Sequence, residues 1–393
     1  MGEPKLRFKA DDGSEFPAWE EKTLGELCAP LTYGMNAAAT KFDGENRYIR
    51  ITDIDDETHA LLPNDIVSPS GELDDKYLVK KGDILLARTG ASTGKSFLYH
   101  PKDGKLFYAG FLIKAHVLPS SDDYFIYSQT LTDRYWKWVK TASMRSGQPG
   151  INANEYASYS FAVPSLPEQR KIAVFLSAVD AVIAAQQAEV DAWEQRKKGV
   201  MQKLFSQEVR FKADDGSDFP DWTKTRLNKL CEYRTNRGTG RNYIGTENML
   251  KDFEGVAVEN GESEGTGSLY EPGDTLMSNI RPYLKKVWTA DCEGACSTDV
   301  LVFHPTNVVP DFLHYVIASD SFVTYVMSAA KGSKMPRGDK AHIMQMPVFA
   351  PDKDEQRKIA DCLSSMDEVI QKSKDELAKW QELKKGLLQQ MFV

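Results

Sequence analysis

The sequence predicts a mixed α/β protein built from two copies of one unit, each a globular domain followed by a long helix. The stretch Glu168–Ala173 recurs unchanged as Glu355–Ala360, and the amphipathic runs that follow align without a gap. Residues 7–14 also recur, as residues 210–217. Because a long internal repeat reflects a repeated structural unit, these observations favour two similar halves within one chain.

Each repeated stretch begins a helix whose apolar residues are spaced alternately three and four positions apart. This spacing is typical of a heptad seam between two packed helices. Gln186 and Lys197 occupy polar seam positions in the first helix, and Ser373 and Lys384 occupy those in the second, so we expect these residues to face one another. The pattern predicts an antiparallel coiled coil with a pseudo-twofold internal repeat. The apolar seam comprises Ile172, Leu176, Val179, Ile183, Val190, Trp193, Val200, Leu204, Ile359, Leu363, Met366, Ile370, Leu377, Trp380, Leu387 and Met391.

Both helices have prolines just before their first turn and acids within it. Glu168 and Glu355 are therefore interpreted as charges that favour the positive end of the helix dipole.

The regions between the repeated stretches differ, and each reads as a mixed α/β domain. Apolar runs bounded by Gly, Pro and Asp predict strands at Ile84–Ala87, Leu112–Leu118 and Val300–Phe303. Aromatic periodicity predicts helices over Tyr124–Val139 and Asp311–Met327. The predicted boundaries are 1–163 for the first domain, 164–207 for the first long helix, 208–350 for the second domain and 351–393 for the second long helix.

The composition is that of a globular protein, with 41% hydrophobic and 27% charged residues among 393. No run of eighteen uncharged apolar residues is present, so no membrane span is expected. The N-terminal residues lack the apolar core of a signal peptide, and the expected location is the cytoplasm. Five cysteines without such a signal indicate reduced thiols, and the spacing of Cys292 and Cys296 fits no common zinc site, so no metal is expected.

The net charge of −8 argues at first against a nucleic-acid partner, but the distribution of charge matters more than its total. Basic residues cluster in the second copy around 224–251, 281–286 and 331–340. Such clusters are often only solvated surface, so this signal is not specific.

Catalytic motifs are not found in the sequence. Gly90–Ser96 resembles a phosphate-binding loop but has three residues between its glycines where the motif needs four. The acids Asp352, Asp354 and Glu355 lack the lysine of a nuclease site, and no motif for S-adenosylmethionine or for amino-group methylation occurs. We therefore expect a chain that is not itself an enzyme.

Taken together, these motifs resemble those of the specificity (S) subunit of Type I restriction-modification systems. The resemblance covers the whole chain. The residues that carry it are Pro164–Ile172 and Pro351–Ile359, Trp19–Leu24 and Trp222–Leu227, Gly82–Leu85, and Ile280–Lys286.

The resemblance implies a DNA-recognition subunit whose variable domains are target-recognition domains, each reading half of a bipartite, asymmetric site in double-stranded DNA. It implies that the helices set the spacer between the halves and dock two methylase (M) subunits. Adenine methylation with S-adenosylmethionine, and DNA cleavage with ATP and Mg²⁺, would belong to the M and restriction (R) subunits. No cofactor is expected in this chain.

Base reading needs Arg, Lys, Asn, Gln or Thr on loops, whereas phosphate contacts only position the protein. For the first domain we predict DNA contacts by Arg88, Thr89, Lys95, Arg145, Gln148 and Asn152. For the second domain we predict base contacts by Asn279, Arg281, Lys285, Lys334 and Arg337, and phosphate contacts by Arg237 and Arg241.

Two other hypotheses fit the sequence less well. One is a coiled-coil scaffold whose end domains bind proteins and not DNA. The other is a relic of a fused restriction enzyme with its own chemistry, which the absence of cofactor and nuclease motifs disfavours.

Overall fold

The computed structural model describes residues 4–144, 148–257 and 263–392, and the chain forms two compact units. The first unit comprises Met1–Ala188 together with Lys374–Val393, and the second comprises Glu189–Ser373. Each unit therefore contains the beginning of one long helix and the end of the other.

The first unit mixes short strands with helices. Its strands are β1 (Glu20–Thr23), β2 (Thr32–Tyr33), β3 (Ala39–Lys41), β4 (Arg47–Ile49), β5 (Val67–Pro69), β6 (Asp83–Ala87), β7 (Ser96–Leu98), β8 (Leu106–Tyr108), β9 (Leu112–His116) and β10 (Ser160–Val163). Its helices are α1 (Leu24–Leu27), α2 (Asp123–Gln129), α3 (Asp133–Ala142), α4 (Ala153–Ala157) and the start of α5 (Leu166–Phe205).

The second unit has a similar set of elements. Its strands are β11 (Thr223–Arg226), β12 (Cys231–Tyr233), β13 (Arg237–Gly240), β14 (Gly265–Tyr270), β15 (Thr275–Ser278), β16 (Val287–Thr289), β17 (Gly294–Cys296), β18 (Val300–Pro305) and β19 (Pro347–Ala350). Its helices are α6 (Pro310–Ile317), α7 (Asp320–Ser328), α8 (Lys340–Ile343) and the start of α9 (Lys353–Met391).

The central sheets of the two units have the same topology. The order is β2-β9-β6-β7 in the first unit and β12-β18-β15-β16 in the second, antiparallel throughout. A two-stranded ribbon, β1-β10 or β11-β19, leads into each long helix. The units differ in their outer strands, because β4 pairs with β8 in parallel in the first unit whereas β13, β14 and β17 form a separate sheet in the second. The predicted α/β repeat is confirmed.

The two regions predicted as single helices are each broken into a pair. Thr132 caps α3 by accepting a hydrogen bond from Tyr135 N, and Ser319 caps α7 by accepting one from Phe322 N. A side chain that caps a new helix start favours extended backbone at its own position, so the preceding helix ends there.

A Gly-Asp turn holds each central sheet at the same place. Gly82 and Gly273 have φ of 89° and 87°, a region that favours glycine. The aspartate that follows is buried and accepts hydrogen bonds from a backbone amide and from a histidine. The pairs are Asp83 with His116 at 2.7 Å and Asp274 with His304 at 2.8 Å.

The start of each long helix is held by a buried carboxylate. Glu168 is 0% exposed and accepts hydrogen bonds from Arg7 Nε and Nη2, at 3.0 and 2.8 Å, and from Trp19 Nε1 at 3.3 Å. Glu355 makes the same contacts with Arg210 and Trp222. These acids lie in the first turns of their helices, as interpreted from the sequence, and they are also buried ion-pair partners.

The glutamine after each buried acid also ties the helix to its domain. Gln169 donates to Pro164 O at 2.9 Å and accepts from Asp122 N at 2.9 Å. Gln356 makes the equivalent bonds to Pro351 O and from Val309 N. Each Glu-Gln pair thus satisfies polar groups at the start of the long helix and at the start of α2 or α6 in the same unit.

The long helices run antiparallel within each unit. In the first unit Asp180 of α5 pairs with Lys384 of α9 at 2.7 Å, and in the second Asp367 of α9 pairs with Lys197 of α5. Each seam lysine therefore pairs with an aspartate of the other helix. The expectation that the polar seam residues face one another was wrong for Lys197 and Lys384. All sixteen predicted apolar seam residues are buried or half-buried.

Each of these aspartates also accepts a hydrogen bond from the domain. Tyr124 Oη donates to Asp180, and Tyr315 Oη donates to Asp367 at 2.7 Å. A three-part contact of tyrosine, aspartate and lysine thus fixes the helix pair to the domain in each unit.

Helix α5 contains an 18-residue window of mean hydropathy 1.3, so by length and composition it could cross a membrane. In the structure its residues Ile172 and Leu176 lie in the core of the first unit, and Asp180 within the same helix is ion-paired. These contacts identify α5 as a core helix of a globular unit.

We expect Glu168→Gln to lower the free energy of unfolding by about 3 kcal/mol, because a buried ion pair loses its anion and Arg7 keeps an uncompensated charge. Urea denaturation followed by circular dichroism measures this loss. The matched control is Glu15→Gln, since Glu15 lies at the surface and pairs with exposed Lys9. Equal stability of Glu168→Gln and the parent protein would contradict the role given to this carboxylate.

A pH dependence is expected from His59, which is 8% exposed and whose pKa burial lowers from 6.5 to about 4. The folded protein keeps this imidazole neutral, whereas the unfolded chain binds a proton below pH 6.5, so stability is lost as the pH falls from 6.5 towards 4. Between pH 7 and pH 5 the His59→Gln variant should lose about 2 kcal/mol less stability than the parent. Surface His100→Gln serves as the control, and an identical pH dependence for both variants would refute the assignment.

Candidate nucleic-acid interface

Two loops that are distant in sequence lie side by side in the first unit. One follows β6 and contains Arg88 and Thr89, and the other precedes α4 and contains Gln148. Thr89 forms an isolated β-bridge with Gly150, and Ile151 N donates to Arg88 O at 2.9 Å. The structure therefore brings together the two segments in which DNA contacts were predicted.

The second unit pairs the equivalent loops in the same way. Ile280 forms an isolated bridge with Arg337, and Arg281 N donates to Pro336 O at 2.8 Å. Gly338 N donates to Asn279 O at 3.4 Å. The loop after β15 and the loop before α8 thus form one surface, as the loops after β6 and before α4 do in the first unit. We call each pair of loops the paired loops of its unit.

The paired loops are anchored on a rigid base. All of β6 is buried, and Tyr156 Oη of α4 donates to Ala87 O at 2.6 Å at the end of that strand. In the second unit β15 is likewise buried throughout. Loops carried on buried strands keep their geometry while their side chains remain free to vary, which suits them to recognition.

Several predicted residues reach the surface of the paired loops. Arg88 is half-exposed, with its guanidinium 4.7 Å from the centre of the Tyr33 ring. Gln148 is exposed, and Thr89 is half-exposed. Arg145 lies outside the described residues.

In the second unit Arg281, Lys334 and Arg337 are exposed on the paired loops. Arg281 has φ of 50° and ψ of 61°, a left-handed conformation that is uncommon for a residue with a side chain. Backbone strain of this kind persists where surrounding contacts enforce it, and it concentrates at functional sites. Arg337 Nη2 pairs with Asp299 at 3.0 Å, which fixes the direction of its guanidinium.

Arg237 and Arg241 lie away from these loops, at β13 on the edge of the outer sheet of the second unit. Both side chains are exposed. Exposed arginines in and directly after an edge strand can attract phosphates without reading sequence.

Comparison with known proteins finds a family model and relatives that are similar to this chain. A family model described as the Type I restriction modification DNA specificity domain matches residues 18–192. The MjaVIII specificity subunit of Methanocaldococcus jannaschii, a Type I restriction enzyme subunit, is 22% identical over 346 residues, which are 80% of this chain and 79% of the relative. Residues 18–192 thus match a Type I specificity domain, and most of the chain is similar in sequence to a Type I specificity subunit.

Solved structures show the same fold. The S subunit of a Type I system from M. genitalium aligns over 100% of this chain and 99% of its own, with 16% identity and a TM-score of 0.59. A second structure, from work on complex assembly and conformational transition of the Type I system, covers 95% of this chain and 97% of its own, with a TM-score of 0.53. The predicted arrangement of two domains and two long helices is confirmed.

Four of the predicted contact residues are buried or engaged within their own unit. Lys95 is 5% exposed, and its ammonium donates to Ile54 O at 2.7 Å and to Asp56 at 2.6 Å. Asn152 caps α4 by accepting from Glu155 N at 2.9 Å. These two side chains are engaged inside the first unit, so we leave them out of the proposed contacts.

The other two such residues lie in the second unit. Asn279 is 7% exposed, and its Oδ1 has no hydrogen-bond partner among the described residues. Lys285 pairs with Asp320 at 2.8 Å and lies over the Phe253 ring. Asn279 is buried and the half-exposed Lys285 is engaged by Asp320, so neither is retained among the proposed contacts.

Sequence reasoning missed three exposed aromatic residues beside the paired loops. Tyr33 is 42% exposed, Phe111 65% and Tyr283 47%. Tyr283 lies within the motif Ile280–Lys286, in which only Arg281 and Lys285 were predicted to contact DNA. Phe111 sits in an apolar run whose periodicity predicts only a strand, so its exposure gave no local signal.

We expect Lys95→Met to lower the free energy of unfolding by about 1–3 kcal/mol, because the Ile54 carbonyl and Asp56 lose their donor. Lys102→Met, at an exposed position of the same unit, is the control and should leave stability unchanged. Thermal or urea unfolding measures both. If Lys95→Met leaves the free energy of unfolding unchanged, these hydrogen bonds do not stabilise the unit, and Lys95 becomes a candidate DNA contact again.

Proposed function

We propose that this chain is the DNA sequence-recognition subunit of a Type I restriction-modification complex. Each variable domain reads one half of a bipartite, asymmetric site, and its paired loops make the contacts. The main support for this proposal is that both units have the same sheet order and the same bridge between their paired loops, but different exposed side chains on those loops. Two identical domains would read two identical half-sites, whereas these paired loops present different donors.

The proposed contacts divide into two kinds. Base readout by paired hydrogen bonds falls to Arg88, Gln148, Arg281, Lys334 and Arg337, whose side-chain types match base edges in the major groove. Thr89 and Arg145 are proposed as further DNA contacts of the first domain. Arg237 and Arg241 contact phosphates.

The helix pair sets the unread spacer. Half-sites one turn of DNA apart are separated by about 34 Å, and a helix of about forty residues extends roughly 60 Å, so α5 and α9 are long enough to bridge that distance. Their rigidity would fix the number of base pairs between the two halves.

Two methylase subunits are proposed to dock on the helices. Support comes from α5, where Val174 and Val182 are 70% and 38% exposed and lie on one face with exposed Ala178. Residues spaced by four share a helix face, and an apolar face of this kind is stabilised when a partner covers it.

The chemistry is assigned to the partner subunits. S-adenosylmethionine would bind the methylase subunits, and ATP and Mg²⁺ would serve the restriction subunits, so this chain contributes recognition and no catalysis. The complex would act in the cytoplasm. The acidic total of −8 is balanced by local basic clusters and by phosphate contacts shared with the methylase subunits.

We expect Arg281→Ala to weaken binding of the complex of this chain with its methylase partner to target DNA by about tenfold, the loss typical of one base-reading arginine. The target is identified beforehand by sequencing methylated adenines in cells that carry both proteins. Affinity is measured by fluorescence anisotropy at several salt concentrations, because DNA binding weakens as salt rises. The control is Lys212→Ala, which removes one positive charge from the hairpin of the same domain.

The same experiment separates the alternatives. Salt-dependent binding with a defined methylation motif supports the DNA-reading function. A complex that binds no DNA and leaves adenines unmethylated would favour a protein scaffold. Unchanged affinity and target choice in Arg281→Ala would remove this loop from the recognition surface while leaving the function itself intact.

A further inference from the structure

The turn between β8 and β9 presents Phe111 at the edge of the paired loops of the first domain. The side chain is 65% exposed. Its backbone is fixed, because Leu112 N donates to Ala109 O at 2.8 Å and Arg88 N donates to Phe111 O at 3.0 Å. Gly110 N also donates to Met35 O at 2.8 Å. A large apolar ring is therefore displayed on a rigid turn that is bonded directly to the predicted base-reading loop.

The second domain has a turn with the same hydrogen bonds. Val300 N donates to Ser297 O at 2.9 Å, and Asn279 N donates to Asp299 O at 2.7 Å. Asp299 thus occupies the position that Phe111 holds in the first domain. The side chain there is an anion, and it pairs with Arg337 Nη2 at 3.0 Å.

We propose that this turn position determines base specificity: Phe111 contacts the 5-methyl group of a thymine, and Asp299 orients Arg337 towards a guanine. This inference rests on the proposed function and names the bases that two of its contacts select. It assigns a role to two residues, Phe111 and Asp299, that carry no positive charge.

The chemistry of the two side chains leads to different bases. A phenyl ring offers no hydrogen bond, so the base feature it can select in the major groove is the thymine methyl group. Covering the exposed ring and that methyl removes apolar area from water on both sides of the contact. The rigid turn lowers the entropy lost on binding, because neither its backbone nor its position has to be ordered.

Arginine selects guanine when its guanidinium donates two parallel hydrogen bonds to O6 and N7. Asp299 Oδ1 lies 3.0 Å from Arg337 Nη2 as its ion-pair partner, and the guanidinium has further N–H donors for a base. The backbone of Arg337 is held as well, because Arg337 and Lys331 exchange two hydrogen bonds of 2.9 Å. A guanidinium held in one orientation discriminates between bases better than a mobile one, since fewer orientations can satisfy a wrong base.

The first test is a selection of preferred DNA from a randomised duplex library by the complex of the full chain with its methylase partner. Wild-type protein should return a motif with two defined half-sites. We expect Phe111→Ala to lose preference for thymine at one position of one half-site, and Arg337→Ala to lose preference for guanine at one position of the other. Asp299→Ala should weaken the same guanine preference by a smaller factor.

The second test isolates the methyl group. Each thymine of the first half-site is replaced in turn by 2′-deoxyuridine in a duplex of the selected sequence. One replacement should weaken wild-type binding about fourfold, the value expected for one buried methyl group. Phe111→Ala should be insensitive to that same replacement, whereas Phe111→Leu should retain part of the sensitivity. Circular dichroism and melting temperature verify that each variant is folded.

The outcomes distinguish the inference from the function on which it rests. A wild-type complex without any sequence preference would overturn the proposed function. A normal wild-type motif that Phe111→Ala leaves unchanged, or unchanged deoxyuridine sensitivity in that variant, would overturn the role of Phe111 alone. An unaltered guanine preference in Arg337→Ala would overturn the role of Arg337 and Asp299.

Discussion

The buried carboxylate at the start of each long helix is the interaction on which both units depend. Glu168 and Glu355 are withdrawn from water, and each is compensated by an arginine fork and an indole N–H. An ionised carboxylate is strongly disfavoured inside a protein unless such donors replace its solvation. The segment that contains Arg7 or Arg210, the tryptophan and the helix start must therefore be present together. These are segments that the two copies share.

The segments that stabilise each unit are different from the paired loops that lie on its surface. The repeated segments and the buried strands β6 and β15 hold the backbone, while the paired loops contribute few apolar side chains to the cores. Isolated bridges at Thr89 and at Ile280 give the loops of both units one common geometry. Exposed side chains on such a frame can be exchanged with little effect on folding, so two copies of one fold can present different surfaces.

The helix pair is joined to the domains through polar contacts as well as through the apolar seam. Asp180 and Asp367 each accept a hydrogen bond from a domain tyrosine and pair with a lysine of the other helix. A charged contact at a defined point of a helix fixes register more strictly than apolar packing, because an aspartate moved by one turn loses both partners. The same helices thus hold the domain and define its place along the coiled coil.

The sequence by itself determined the duplication, the long helices, their seam and the segments that hold the candidate loops, because these follow from residue order and from periodicity within one element. Only the tertiary structure decided which polar side chains are free. Lys95 and Arg88 are both basic residues of one loop, yet Lys95 points into the unit to Ile54 O and Asp56, while Arg88 remains half-exposed over Tyr33. The exposure of Phe111 and the burial of Glu168 were equally beyond local patterns. Burial and pairing depend on groups that lie far away in the chain, and only the folded structure brings those groups together.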